Sequence, residues 1–162
     1  MAGATHGVLA FCVVLLWTGA QAFTVRCPNG FVGHENSCYK FVKMTTSWME
    51  AKVLCETMDS HLVEIDSPIE EQFIMQRVYF IEPGLQETSL WIGASDLMNE
   101  NEWVWMHSKK RLGYRNWNLN RAEAMAEGHG RCLAMQTQPF FAWTEVGCDE
   151  PLSFICEHEM SY

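Results

Sequence analysis

The chain has 162 residues, 48% of them hydrophobic and 12% aromatic, so it is long enough for one packed domain and too short for two. Its formal net charge of −9 disfavours nucleic acid and anionic membranes as partners, because binding to phosphates requires Lys and Arg. The same acidity suits cations, calcified surfaces or basic partners, and it also agrees with simple solubility.

The N-terminal segment predicts secretion. Residues 7–17 form an apolar run too short to span a bilayer as a helix, and Ala20-Gln21-Ala22 follows as a small-x-small cleavage site. The residues before the run include no Lys or Arg, which departs from the usual signal peptide, and a buried core helix is the alternative. We expect a signal peptide at 1–22, cleavage after Ala22, and one extracellular domain at 23–162.

Cleavage would remove Cys12 and leave an even number of cysteines. An even count in a secreted chain predicts a disulfide framework formed in an oxidising compartment. Many pairings are open, and the spacing of the cysteines does not choose among them. A structural zinc site is disfavoured because the chain contains no CxxC pair. The remaining cysteines are Cys27, Cys38, Cys55, Cys132, Cys148 and Cys156.

The first part of the domain predicts short strands at 31–32 and 38–42, followed by a helix. Ser47 and Glu50 form a capping box, in which each side chain accepts a hydrogen bond from the other residue's backbone N–H. We therefore expect the helix to run from about 48 to 58. Its buried face follows the spacing i, i+3, i+7 and consists of Trp48, Ala51 and Cys55.

A second helix is predicted from about 68 to 80. Ser67 is suited to the N-cap position and Pro68 to the first helical position, where its missing N–H costs nothing. We expect this helix to bury Ile69 and Phe73 against the core.

The rest of the chain predicts strands around one long irregular segment. Because helices come early and strands mostly late, an α+β fold is favoured over an alternating βαβ fold. Residues 117–148 begin without helical or strand periodicity and are held by cysteines on their C-terminal side, so we expect a binding loop. The strand-like runs are 61–65, 90–94, 103–105, 132–135, 140–143 and 153–156.

Several short motifs follow one another along the predicted domain. They are CPNGFVGHENSCYKF at 27–41, WMEAKVLC at 48–55, SHLVEIDS at 60–67, WIGASD at 91–96, WVW at 103–105, YRNW at 114–117 and FICE at 154–157, together with the spacing of Cys132, Cys148 and Cys156. The ordered set resembles the C-type lectin-like domain and covers essentially all of residues 23–162. The stretch WIGASDLMNENEWVW is most similar to perlucin-like lectins of molluscs.

The resemblance implies an α+β fold in which two helices pack on antiparallel sheets beside a long loop, with three disulfides. It also implies that Trp91, Ile92 and Trp103 belong to the core. The implied pairs are Cys27–Cys38 in an N-terminal hairpin, Cys55–Cys156 between the first helix and the last strand, and Cys132–Cys148 at the base of the long loop. A bridge that closes a long loop restricts the unfolded chain most, so Cys55–Cys156 is expected to contribute most to stability.

In this family the long loop holds a calcium ion that bridges to sugar hydroxyls, and calcium requires six to eight oxygen ligands. The first ligand motif, Glu or Gln, cis-Pro, then Asn or Asp, falls on Arg121, Ala122 and Glu123 when counted from Trp117. Arg121 has no lone pair to offer. Ala122 replaces the proline of the motif, and a cis peptide bond is much less stable before alanine than before proline. Of these three residues, Glu123 retains a ligand oxygen.

The second ligand motif, Trp-Asn-Asp in the family, is Trp143-Thr144-Glu145 in this chain. Thr144 offers only a hydroxyl, whereas Glu145 offers a carboxylate that is one methylene longer. Gly130 and Arg131 stand where acidic ligands are expected before the loop cysteine.

Asp96 and Glu100 match two ligands of the family's auxiliary calcium site. Calcium is therefore a candidate cofactor, although this ligand set disfavours an ion bound in the usual sugar-bridging way. The candidate metal ligands are Asp96, Glu100, Glu123 and Glu145, and the candidate sugar-binding residues are Arg121, Glu123, Thr144 and Glu145.

Further side chains have a structural alternative beside a functional one. His129 can contact a ligand or lie in a turn, and His158 beside Cys156 resembles part of a metal cluster only if Cys156 is not in a disulfide. Five aromatic residues can stack on sugar faces or form the core, and the core is the commoner fate. They are Tyr114, Trp117, Phe140, Phe141 and Trp143.

We expect a secreted C-type lectin-like protein that recognises glycans or glycoproteins through a degenerate calcium site. The resemblance implies shell-matrix biomineralisation, with contact to calcium carbonate, or innate immune recognition. The alternatives are a calcium-independent protein-binding module that uses Arg121, Arg131 and exposed aromatics, and a disulfide-stabilised scaffold without a specific ligand. No credible nucleophile–base pair, phosphate loop or HExxH motif occurs, so an enzyme is not predicted.

Overall fold

The computed structural model describes residues 26–85, 89–118, 131–138 and 141–160. The predicted signal peptide, Arg121, Glu123 and His129 lie outside these ranges. The helices are α1 (Trp48–Glu56) and α2 (Pro68–Phe80), and a 3-10 turn follows at Pro83–Leu85. The strands are β1 (Val32–His34), β2 (Ser37–Thr46), β3 (His61–Leu62), β4 (Ser89–Ser95), β5 (Val104–Trp105), β6 (Arg131–Gln136), β7 (Trp143–Gly147) and β8 (Leu152–Glu159).

The strands form one mixed sheet in the order β1-β2-β8-β4-β6-β7, with β3 paired to β8 and β5 paired to β4. Among the described strands, β4 and β8 are the one pair that runs parallel, with Leu90 opposite Ser153 and Trp91 opposite Phe154. The α+β class with two helices is confirmed, and the otherwise antiparallel sheet is mixed because this one pair is parallel. A parallel pair needs a long connection, and residues 96–151 supply one.

Helix α1 begins as the capping box predicts. Ser47 accepts a hydrogen bond from the Glu50 backbone, and the Glu50 side chain accepts one from the Ser47 backbone. The helix ends at Glu56, slightly earlier than predicted. Its predicted buried face is confirmed: Trp48, Ala51 and Cys55 are almost fully buried, and the Trp48 indole donates to the Ile92 carbonyl at 2.8 Å.

Helix α2 has the predicted limits, but it turns a different face to the core. Ile69 was expected to be buried and is 59% exposed, whereas Phe73 is half-buried against the core, in line with the expectation. Ile74 and Val78 are fully buried. Two carboxylates, Glu70 and Glu71, are also buried. Both accept hydrogen bonds from donors inside the protein, which offsets the free-energy cost of burying a carboxylate.

Two predicted strands are shorter than expected. The run 61–65 is a strand only at His61 and Leu62, which pair with β8. The run 140–143 contributes only Trp143 to β7, because Phe141 adopts a left-handed backbone conformation with φ of 53° that ends any extended structure before it. Phe140 lies outside the described residues.

The buried side chains form two clusters that the sheet and helices share. Trp91 and Ile92 are fully buried as expected, whereas Trp103 is only half-buried and packs against the rim of the larger cluster. In the described ranges, no helix is long and apolar enough to cross a membrane. Three disulfides, Cys27–Cys38, Cys55–Cys156 and Cys132–Cys148, join the same pairs that the resemblance implies.

Candidate ligand-binding site at the base of the long loop

Arg131 is the first residue of β6, at the point where the long loop returns to the sheet. Its guanidinium lies between two carboxylates: Nε donates to Asp96 Oδ2 at 2.8 Å, and Nη1 donates to Glu145 Oε2 at 3.0 Å. Nη2 donates to Asp96 Oδ2 and, at 2.8 Å, to Asn101 Oδ1. We call Asp96, Asn101, Arg131 and Glu145 the loop-base cluster.

Asp96 is held on all sides within this cluster. Its side chain is only 3% exposed, and Oδ1 accepts a hydrogen bond from the Arg131 backbone N–H at 3.1 Å. Oδ2 accepts from the Asn101 backbone N–H at 3.2 Å in addition to the guanidinium. The carboxylate therefore ties the turn after β4 to the start of β6, and Oδ2 already accepts three hydrogen bonds.

The charge of Arg131 is secure in this setting. Burial lowers the pKa of Arg131, but hydrogen bonds to Asp96 and the charges of Glu145 and Asp96 raise it on balance. The guanidinium carbon also lies 5.8 Å from the centre of the Trp103 ring, within cation–π range. Arg131 is thus a permanent cation built into the base of the loop.

This geometry tests whether the described residues fit a calcium ion. Asp96 is one of the two carboxylates that the resemblance assigns to an auxiliary calcium site, and Glu145 remains from the sugar-binding motif. Both accept hydrogen bonds from the guanidinium of Arg131, a positive group that has no lone pair to give a metal. With Arg131 in this place, Asp96 and Glu145 do not fit a calcium ion.

Another carboxylate, Glu71 of α2, accepts hydrogen bonds from residues just before the long loop and near its end. Its Oε1 accepts from the Trp143 indole N–H at 2.7 Å. Its Oε2 accepts from the Tyr114 hydroxyl at 2.7 Å and from the Asn116 amide at 3.0 Å. Burial and the hydrogen bond to Glu71 raise the pKa of Tyr114 to about 12. Glu71 therefore joins α2 to both ends of the described loop frame.

A cavity of about 440 Å³ opens beside the loop-base cluster. Trp103 and Trp117 form its aromatic part, with ring centres 5.4 Å apart in an edge-to-face arrangement. Arg111 and Glu102 form an exposed ion pair across it at 3.2 Å. We call this cavity the aromatic-walled pocket; its lining is Asn101, Glu102, Trp103, Arg111, Arg115, Trp117 and Glu145.

The family is shown by comparison with known proteins. The model of the family described as "Lectin C-type domain" matches residues 44–158. This chain belongs to the C-type lectin family. Perlucin from Haliotis laevigata is 35% identical over 134 residues, which cover 82% of this chain and 83% of perlucin.

Solved structures agree with this C-type lectin assignment. The carbohydrate-recognition domain of mouse scavenger receptor C-type lectin matches with a TM-score of 0.71 and 30% identity, covering 84% of this chain and 98% of that domain. The C-type carbohydrate-recognition domain of cow CD23, solved in the presence of GlcNAc2Man3 oligosaccharide, matches with a TM-score of 0.72 and 27% identity, covering 85% and 98% of the two chains. The family is one of binding domains and indicates no enzymatic activity.

The predicted site residues of this lectin domain have different fates. Arg131 brings Asp96 and Glu145 together, whereas Glu100 lies exposed in the turn between them and has no place in the loop-base cluster. Thr144 is 4% exposed and does not line the pocket. The other two predicted sugar-binding residues are the ones outside the described ranges.

The aromatic candidates divide between core and pocket. Trp143 is fully buried and Phe141 is 7% exposed, so both belong to the core. Trp117 is half-buried and lines the aromatic-walled pocket, where it retains exposed ring surface. Sequence reasoning missed Glu71, and its one local signal was the pair of acidic residues in the first turn of α2.

Proposed function

We propose that this C-type lectin domain binds carbohydrate in the aromatic-walled pocket without a calcium ion at Asp96. The observation that carries the proposal is that the guanidinium of Arg131 donates hydrogen bonds to both Asp96 and Glu145 beside the pocket. A fixed cation in this place makes the neighbouring side chains, rather than a metal, responsible for contact with sugar hydroxyls.

The lining of the pocket has the chemistry that a sugar requires. The apolar C–H faces of a pyranose pack on indole rings, which Trp103 and Trp117 supply. Arg111 is 76% exposed and Glu102 is 48% exposed, so both can exchange their mutual ion pair for sugar hydroxyls at little cost. Two solved relatives are carbohydrate-recognition domains, and one was studied with an oligosaccharide, which supports the same ligand class here.

Secretion is part of the proposal. We propose that residues 1–22 are removed as a signal peptide, leaving the lectin domain in an oxidising extracellular setting. The three disulfides support this compartment, because such bonds persist where thiols are not kept reduced. N-terminal sequencing of the protein recovered from a secreting cell culture should read Phe-Thr-Val, and retention of Met1 would contradict cleavage.

The proposed function is tested by retention on immobilised mannan, galactan and chitin with calcium and with a chelator. Binding to at least one polysaccharide should survive the chelator. Arg111→Ala should weaken this binding by about tenfold, because it removes an exposed polar contact from the pocket. Lys110→Ala is the matched control, an exposed neighbouring cation that does not line the pocket, and it should bind as the wild type does.

Elution of bound protein by the chelator would contradict the calcium-independent mechanism. Absence of binding to every polysaccharide in both buffers would contradict carbohydrate recognition and favour the protein-binding alternative. Equal losses in Arg111→Ala and Lys110→Ala would indicate general electrostatic attraction rather than this pocket.

A further inference from the structure

A second polar cluster lies away from the loop, where β3, β8 and the turn after β5 meet. His61 of β3 and His107 of the turn stack their rings, with centres 3.9 Å apart and planes 8° from parallel. Glu159 stands at the end of β8, and one ligand atom from each of the three residues lies within 4.8 Å of the other two. We call His61, His107 and Glu159 the imidazole cluster.

The hydrogen bonding of His61 leaves one nitrogen open. Nδ1 lies 2.9 Å from the Leu62 carbonyl oxygen, which can only accept, so Nδ1 carries the proton. In the neutral ring Nε2 therefore presents a lone pair. His61 is only 7% exposed, and its Nε2 is buried and finds no hydrogen-bond partner among the residues that the structure describes. A buried nitrogen without a partner costs free energy unless a ligand satisfies it.

The position of His107 is fixed by hydrogen bonds to its own backbone. Glu64 is buried, and its Oε1 accepts from the backbone N–H groups of His107 at 2.8 Å and Ser108 at 3.0 Å. The backbone N–H of Glu64 in turn donates to Glu157 Oε2 at 3.1 Å. These contacts hold the turn against β3 and keep His107 beside His61. Ring nitrogens of two parallel stacked imidazoles point in parallel directions, so the exposed His107 ring must turn out of the stack to place a nitrogen on the same ion as His61.

We propose that the imidazole cluster binds a divalent transition-metal ion of the zinc class. Nε2 of His61 lies 3.9 Å from Oε1 of Glu159, too far for a hydrogen bond. A zinc ion with bonds of about 2.0–2.2 Å at a tetrahedral angle spans about 3.3 Å between two ligand atoms. Glu159 is 70% exposed on its side chain and can close the remaining gap without disturbing the core.

The chemistry of the three side chains selects the class of metal. Imidazole nitrogens suit zinc, copper and nickel, whereas calcium takes oxygen ligands. The bond from His61 Nδ1 to a carbonyl is the outer contact that orients metal-binding histidines in proteins. A cavity of about 200 Å³ adjoins the two rings, which leaves space for a water molecule as the fourth ligand.

Two lysines line this cavity, and each bonds to a group other than the two imidazoles. Lys52 forms an ion pair with Glu56 one turn along α1. Lys109 donates from Nζ to the Met106 carbonyl at 2.5 Å. In these contacts neither ammonium group bonds to the imidazoles of His61 and His107.

The test is calorimetric titration of the disulfide-bonded protein, without an affinity tag, with zinc chloride near neutral pH. Zinc should bind with a stoichiometry near one ion per chain. His107→Ala and Glu159→Gln should each weaken binding by about tenfold or more, since each removes one ligand. Both side chains are exposed, so unchanged melting without zinc should show that the variants fold. Cobalt(II) should give the visible absorption of a tetrahedral site in the wild type, and His107→Ala and Glu159→Gln should not show it.

His158→Ala is the matched control, because it removes a histidine from the same strand that bonds to Asp59 rather than to the cluster. It should bind zinc as the wild type does. The proposal is overturned if the wild type binds no stoichiometric zinc, if His107→Ala and Glu159→Gln bind it unchanged, or if His158→Ala loses it equally. Displacement of zinc by an equal concentration of calcium would also overturn it.

Discussion

The loop-base cluster and the imidazole cluster solve the same electrostatic problem in opposite ways. At the loop base, the guanidinium of Arg131 lies among oxygen acceptors and satisfies Asp96 and Glu145. In the imidazole cluster, the buried Nε2 of His61 has a lone pair that no donor among the described residues satisfies. The guanidinium of Arg131 closes the loop-base cluster to metal ions. The imidazole cluster keeps an unsatisfied lone pair and can therefore bind an ion.

The largest expected effect comes from removing the built-in cation. Arg131→Ala leaves Asp96 buried without its partner, and the free energy of unfolding should fall by about 3–5 kcal/mol. Urea denaturation measures this loss. Adding Asp96→Asn to the same chain should recover part of it, because the uncompensated charge is then gone. A loss below about 1 kcal/mol for Arg131→Ala would show that the guanidinium is not the element that closes the site.

Glu71 differs from Asp96 and Glu145 because it accepts hydrogen bonds from neutral donors and not from a cation. Glu71→Ala leaves the Trp143 indole and two further donors without their acceptor, so stability should fall by about 3 kcal/mol. Thermal and urea melting measure it. Glu71→Gln keeps one acceptor oxygen and should lose less. If the two variants are equally destabilised, the negative charge matters and the number of acceptors does not.

Two further buried carboxylates, Glu70 and Glu157, have raised pKa values. Burial and the charge of Glu157 raise the pKa of Glu70 to about 7, and burial and the charges of Glu159 and Glu64 raise the pKa of Glu157 to about 7. The folded state therefore takes up these protons at a higher pH than the unfolded state, whose carboxyls titrate near 4.5. This contribution to stability is complete below about pH 4.5 and is lost as the pH rises through about 7.

The difference in unfolding free energy between pH 5 and pH 8 isolates this effect. Glu157→Gln should reduce the pH dependence by about 2 kcal/mol, since an amide does not titrate. Glu56→Gln, which changes an exposed carboxylate, should leave the pH dependence unchanged. Identical pH profiles for the wild type and Glu157→Gln would contradict the raised pKa values.

The smallest expected effect lies in the aromatic-walled pocket. Arg111→Ala breaks an ion pair whose two side chains are 76% and 48% exposed, so the free energy of unfolding should change by less than about 0.5 kcal/mol. Denaturation of the variant measures this change. A larger loss would mean that Arg111 has a structural role, and its effect on glycan binding would then need a second pocket variant.

Local signals predicted the helices well. The caps at Ser47 and Ser67 depend on residues within one turn, and the structure has both helices close to the predicted limits. The predicted buried face of α2 was wrong at Ile69 and omitted Glu70 and Glu71, because the burial of these carboxylates depends on distant partners. Tyr39 lies 31 residues from Glu70, and Trp143 lies 72 residues from Glu71, so no local pattern reveals that these carboxylates are satisfied inside.

In the candidate site too, the identity of each residue can be read from the sequence, whereas its partners lie far away along the chain. The sequence indicates that Arg131 replaces an expected acidic ligand, but the pairing with Asp96 spans 35 residues and becomes visible only in the folded chain. The imidazole cluster gave no signal either, because His61 and His107 are brought together by a turn that Glu64 holds in place.

Calcium-dependent melting tests most directly whether Arg131 has replaced the ion. The account predicts that the melting temperature of the wild type is the same in millimolar calcium and in chelator, within about 1 °C, because Asp96 and Glu145 are already occupied. Binding of calcium at one hundred times its Kd would add about 2.7 kcal/mol to the unfolding free energy. A rise of several degrees in the wild type with added calcium would contradict the account.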